Sequence, residues 1–227
     1  MNRVIKCLFG FLFLFFIGKI AMAQSLPFHM PNGAGTFRLG VVKGQESCWI
    51  DQCKMKKKGE CYIITHELWK GGEIHLTVRK LKNTNGFIAS VEGKSLPDTL
   101  QLCWAYGACD YQVEKQPETN EIPLTPCFEN VFSREGNAFT VYYGKVMGFR
   151  TVKGLAPLDT DLRLSDASKQ GSPLELWESG KKTQYHVVSS KNLWKTSETL
   201  YYCFYHQNRN ADYNYYHLPN LFIESAK

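Results

Sequence analysis

Glu73-Ile74-His75-Leu76-Thr77-Val78-Arg79-Lys80-Leu81-Lys82 alternates apolar and polar residues along almost its whole length. Ile74, Leu76, Val78 and Leu81 fall on one side. His75, Thr77, Arg79 and Lys80 fall on the other, with one shift near the end. A period of two sends successive side chains to opposite faces of an extended chain, so one face turns inward. Asn83-Thr84-Asn85-Gly86 follows, and Phe87–Glu92 returns. Two such runs joined through Asn-Gly read as an antiparallel hairpin.

The same pattern extends in both directions. Thr36–Lys43 follows the turn-rich Pro31-Asn32-Gly33-Ala34-Gly35, and Cys61–Leu68 precedes the hairpin. Thr99–Tyr106, Ala138–Lys145, Met147–Lys153, Gln184–Ser189 and Leu200–His206 complete the expected strands. Gly, Pro and Asn separate them. The pattern predicts an all-β chain, most simply an antiparallel β-sandwich. Leu218–Lys227 is the one expected helix. Asp110–Pro126 and Leu155–Pro173 read as long polar surface loops. The basic run Lys54-Met55-Lys56-Lys57-Lys58 reads as a solvated loop, with an anion-binding patch as the alternative.

The chain has 227 residues, 44% hydrophobic and 21% charged, which excludes wholesale disorder and a collagen-like repeat. Arg3 and Lys6 precede the apolar run Cys7–Gly18, and Ala21-Met22-Ala23 supplies small residues for cleavage. This is the layout of a secretory signal peptide cleaved near Ala23, which delivers the chain to the periplasm or beyond. The expected layout is signal peptide 1–23, sandwich 24–217 and the start of a linker helix 218–227. No later segment is long and apolar enough for a stable membrane span. Cleavage removes Arg3, Lys6 and Lys19 and no acid, so the charge falls from +6 to +3. That balance does not call for nucleic acid.

Seven cysteines remain: Cys48, Cys53, Cys61, Cys103, Cys109, Cys127 and Cys203. In an exported chain some should pair, and the odd number leaves at least one over. Cys48 with Cys53, or Cys103 with Cys109, is close enough to bridge a local loop; the connectivity stays open. The spacings x4, x7 and x5, with no histidine at a matching interval, argue against zinc. No metal and no cofactor is expected.

Catalytic signatures are missing from the sequence. There is no Gly-x-Ser-x-Gly elbow and no His-Glu-x-x-His. His29, His66, His75, His186, His206 and His217 are scattered, with His66 and His186 in expected strands. Asp110, Glu114, Glu118, Glu121 and Glu129 gather in or beside one loop, as acids of a solvated loop do. No catalytic residue is expected. The aromatic tail is more unusual: Tyr201, Tyr202, Phe204, Tyr205, Tyr213, Tyr215 and Tyr216 crowd together. Tyr205, Tyr213, Tyr215 and Tyr216 form a candidate glycan or interdomain surface, because a Tyr ring can stack on a sugar while its hydroxyl bonds to it. Core packing is the competing reading. The tryptophans Trp49, Trp69, Trp104, Trp177 and Trp194 are expected in the core.

Four segments taken in order carry a resemblance. They are Phe28–Gly40, Gly72–Val78, Leu102-Cys103-Trp104-Ala105-Tyr106-Gly107-Ala108-Cys109, and Cys127–Phe132 with Asn137–Gly144. Together the chain resembles the domain of unknown function 4450 family, exported proteins of polysaccharide-degrading Gram-negative bacteria. The resemblance implies an N-terminal β-sandwich that long members join to a six-hairpin α/α toroid like that of many glycosidases. Long members carry further strands before Pro27 and continue past Leu218–Lys227 into the toroid. The acid and base of such glycosidases lie in the toroid, so the resemblance transfers no catalytic residue. It implies a non-catalytic accessory sandwich in a glycan-processing context, with a polysaccharide or a separately encoded toroid as partner. A free-standing glycan-binding module and a structural, partner-binding subunit are the alternatives.

Overall fold

The computed structural model describes residues 25–107, 119–124, 130–145, 148, 150–180, 185–195 and 197–226, apart from the side chains of residues 32 and 186. The expected signal peptide and most of the Asp110–Pro126 segment lie outside these residues.

The sheets are antiparallel throughout, as the alternation predicts. Strands β1 (Thr36–Lys43), β2 (Glu46–Trp49), β7 (Gln101–Gly107), β11 (Arg163–Asp166) and β12 (His186–Leu193) form one sheet, in the order β11-β12-β7-β1-β2. Strands β3 (Lys54–Lys58), β4 (Cys61–Thr65), β5 (Glu73–Lys80), β6 (Gly86–Lys94), β8 (Val131–Glu135), β9 (Ala138–Tyr142), β10 (Thr151–Leu155) and β13 (Leu200–His206) form the other. Its order is β3-β4-β5-β6-β13-β10-β9-β8. The β5–β6 hairpin sits where the sequence puts it, closed by Leu81 N–H donating to the Gly86 carbonyl at 3.0 Å.

The inward faces meet in a core of rings. Phe37 of β1 lies 4.7 Å from Phe204 and 5.3 Å from Tyr202, centroid to centroid. Tyr106 stacks on Phe204 at 5.0 Å with the planes 7° apart. Trp104, Phe87 and Phe139 close the cluster. Burying one such side chain contributes about 1.5–3 kcal/mol, more than the roughly 0.5–1.5 kcal/mol of ring–ring geometry. Area therefore dominates this core, and ring angles refine it. Gly154 belongs here for a steric reason: a Cβ on it would stand 2.1 Å from the Phe139 ring. Trp49, Trp69, Trp104 and Trp194 are buried as expected, whereas Trp177 is half-buried.

Three local expectations need correction. Lys54–Lys58 is not a loop but the edge strand β3, paired with β4. Four lysines on a sheet edge discourage further strands from adding there. The segment Leu155–Pro173 is not wholly loop either: Arg163–Asp166 pairs with β12, and a 3-10 turn follows at Ala167–Lys169. An unexpected helix, α1 (Pro173–Ser179), comes next. Ser172 caps it by accepting from Glu175 N–H, Pro173 opens it and Gly180 ends it.

The C-terminal helix α2 (Leu218–Glu224) forms as expected and lies on the outer side of the larger sheet. Leu218 is buried, and Arg79 of β5 donates to the Phe222 carbonyl at 2.9 Å while its guanidinium covers the Phe222 ring at 4.0 Å. Among the described residues no helix is long and apolar enough to cross a membrane.

Candidate functional site

A sandwich has two outward faces, and they differ in what is left open. Over the five-stranded sheet, α1 and the 119–124 segment close the surface. Arg38 Nε donates to Asp51 Oδ2 at 3.1 Å, and Nη1 donates to Gln170 Oε1 at 3.1 Å. Trp49 Nε1 donates to the Gln170 carbonyl at 2.8 Å, and Gln170 Nε2 donates to the Ile122 carbonyl at 2.7 Å. Arg38 and Asp51 are each about 3% exposed, so this is buried scaffolding with its polar groups paired. Burial holds the Asp51 carboxyl above its ordinary range, against the opposing pull of Arg38.

The outer face of the eight-stranded sheet is open over β8, most of β9 and the start of β10, while Leu155 at the far end of β10 is buried under the C-terminal segment. Register builds three rows there. Val131, Tyr142 and Thr151 form the first, Ser133, Thr140 and Lys153 the second, and Glu135, Ala138 and Leu155 the third. Val131 and Tyr142, directly opposite each other, are 61% and 49% exposed, which leaves an apolar ring edge uncovered on a sheet rim. Tyr213 walls a shallow groove of about 130 Å³ over Ser133, Thr140, Tyr142 and Lys153. Lys153 Nζ reaches Asp212 at 2.7 Å. The depression gathers Phe139, Tyr142 and Tyr213, the hydroxyls of Ser133 and Thr140, the Glu135 carboxylate and Lys153, whose charge is paired with Asp212.

The expected tyrosine surface is divided by the alternation of β13. Tyr202 and Phe204 point into the ring core, while Tyr201, Cys203 and Tyr205 point outward under the C-terminal segment. Tyr205 is fully buried and its hydroxyl accepts from Tyr213 N–H at 3.1 Å; its ring meets that of Tyr213 at 4.8 Å. Burial pushes the Tyr205 hydroxyl up to about 12. Tyr213 and Tyr215 are half-buried against the same cluster, and Tyr216 is 74% exposed. Tyr142, the ring on the open face, carries no signal in the sequence beyond its place in the expected strand Ala138–Lys145. It lies in β9 between β8 and β10, and its exposure comes from the outward face of those strands, which no local pattern announced.

The cysteines are distributed just as unevenly. Cys48, Cys53, Cys61, Cys103 and Cys203 are thiols, and Cys109 and Cys127 lie outside the described residues. The Cys48 and Cys53 sulfurs are neighbours at 3.7 Å, well beyond the S–S bond that the local bridge would need. Cys103 donates to the Pro173 carbonyl at 3.3 Å in a buried cluster under α1, and burial pushes its thiol up to about 12. Cys203 is raised by burial too. His66 stands past the end of β4 rather than within a strand; its Nδ1 accepts from Leu68 N–H and lies 3.7 Å from Cys48 Sγ. Of the five loop acids, only Glu121 is among the described residues, and it is exposed.

A family model, a domain of unknown function (DUF4450), matches residues 30–226. The chain belongs to the DUF4450 family. No curated protein matches it. Among solved structures, a bacterial glucoamylase complexed with acarbose is similar to this DUF4450 chain at a TM-score of 0.45 and 13% identity. The likeness covers 84% of this chain and 31% of the glucoamylase chain.

Proposed function

We propose that this DUF4450 chain is an exported, non-catalytic accessory β-sandwich of a glycan-processing system, and that the open β8–β10 face is its working surface. The observation that carries the reading is Tyr142, a half-exposed ring beside Ser133, Thr140 and Lys153 in one groove. A sugar presents an apolar C–H face and a rim of hydroxyls, which suits one ring and several short polar groups. The resemblance to exported proteins of polysaccharide degraders supports the same context. An accessory role fits the use of Asp51, which is buried against Arg38 as scaffolding.

Calorimetric titration of the purified chain with plant, algal and host polysaccharides tests the reading, beside a reducing-sugar assay. The expected result is binding without hydrolysis, weakened about tenfold by Tyr142→Ala and unaffected by Tyr216→Ala. Sugar release abolished by a single carboxylate substitution would overturn the accessory role. The uncovered Val131–Tyr142 pair also favours a second reading, a protein partner such as a separately encoded toroid. Co-purification lost in Val131→Lys, with no response to any polysaccharide, would select that reading.

A further inference from the structure

Cys48, Cys53 and His66 meet at the corner where the chain leaves one sheet for the other. Cys48 lies in β2, the rim of the five-stranded sheet. A 3-10 turn, Ile50–Gln52, carries the chain across, and Cys53 ends that turn just before β3. In the β3–β4 ladder Lys54 faces Thr65, so the next step of the register sets Cys53 opposite His66. One ligand atom from each of the three lies within 4.8 Å of the others. Two separate backbone devices, a crossing turn and a strand register, therefore deliver three soft ligands to one point.

We propose that Cys48, Cys53 and His66 bind a single Zn²⁺ ion, with the fourth position open to water or an outside ligand. Two of the three distances match the chemistry, and the third stays within 4.8 Å. Zn–S bonds of about 2.3 Å at tetrahedral angles set two sulfurs about 3.8 Å apart, and a sulfur and an imidazole nitrogen about 3.6 Å apart. Cys48 Sγ stands 3.7 Å from Cys53 Sγ and 3.7 Å from His66 Nδ1. A disulfide would draw the same sulfurs to about 2.05 Å and leave the imidazole outside the bond. His66 also borders a cleft of about 540 Å³ lined by Gln52, Lys54, Thr65, Glu67 and Lys70, which brings solvent to one flank of the site. The thiols lose their protons as the ion binds, and His66 Nδ1 exchanges its 3.2 Å bond from Leu68 N–H for the metal. The sequence spacing Cys-x4-Cys-x12-His has no second close pair and so lies outside the usual zinc-motif spacings.

The test uses the full purified chain, reduced and kept anaerobic, titrated with Zn²⁺ and with Co²⁺ as a spectroscopic stand-in. One equivalent of Co²⁺ should give visible tetrahedral absorption and a near-ultraviolet thiolate band, both displaced by Zn²⁺. X-ray absorption of the Zn²⁺ form should show two sulfurs and at least one nitrogen. Cys48→Ser and Cys53→Ser should abolish the thiolate band, and His66→Ala should weaken Zn²⁺ binding about tenfold or more. Cys61→Ser and the double variant Cys109→Ser/Cys127→Ser should change nothing. Octahedral Co²⁺, binding that follows Cys109 and Cys127, or no stoichiometric uptake would each overturn the proposal. So would a bridged Cys48–Cys53 peptide in chain isolated from exporting cells. The wild-type spectra decide the matter even where a variant fails to fold.

Discussion

Strand β1 is buried on both faces, and the two faces are built from different materials. Phe37, Leu39 and Val41 look inward onto rings and aliphatic chains. Arg38 looks outward into the network with Asp51, Trp49 and Gln170. Gly40 lies beneath Pro173, where an added Cβ would come within 2.4 Å of the proline ring. The inward side is stabilised by area and tolerates small shifts in angle. The outward side is stabilised only while each polar group keeps its partner, since a buried charge without one costs several kcal/mol. Burial alone does not say which regime a residue lives in.

The largest effect should come from the ring side. Phe37→Ala removes a ring that touches Phe28, Phe204 and Tyr202 and leaves a cavity between the sheets. It should cost about 4 kcal/mol, read from urea midpoints at constant slope. A loss under about 1 kcal/mol would mean that the sheets close over the gap and that packing is looser than the rings imply. Arg38→Met comes next, at about 3 kcal/mol, because it strands the Asp51 carboxylate. Arg38→Met with Asp51→Leu should regain most of that loss. If the double variant is as unstable as the single one, the outward side depends on packing rather than on charge pairing.

The same contrast explains what the sequence could reveal. Glu73–Lys80 was legible because one face meets the ring core and alternation records that face; Thr36–Lys43 and Leu200–His206, buried on both faces, stand out instead as short, mostly apolar runs between turn residues. Lys54–Lys58 was not legible, because a rim strand of lysines has no apolar side to alternate. Arg163–Asp166 has four residues and gains its identity from β12. Helix α1 carried a signal in Ser172-Pro173, Glu175 and Gly180, but it spans only seven residues and shows little periodicity. The Arg38–Gln170 contact joins residues 132 positions apart, so no window holds both. The open face and the cysteine corner share that origin: Tyr142 and His66 gain their surroundings from strand order, not from their neighbours in sequence.

The smallest effect, and the one that separates the two sides of β1 most cleanly, is pH dependence. Asp51 has an ordinary value of 3.8, which burial raises; Arg38 opposes the rise and Glu121 adds to it. A carboxyl raised in the folded state holds its proton more tightly there than in the unfolded chain. Its contribution to stability is thus fully present below the unfolded value and is lost as pH climbs through the folded one. Asn cannot titrate, so Asp51→Asn supplies the reference. As pH rises above about 3.8, the wild type should lose stability relative to Asp51→Asn, and Arg38→Met should steepen the loss. Phe37→Leu, on the ring side, should shift stability by the same amount across that rise. A wild type that instead gains on Asp51→Asn with rising pH would mean that the guanidinium outweighs burial, and that the charge pair is a net source of stability rather than a constraint the fold accommodates.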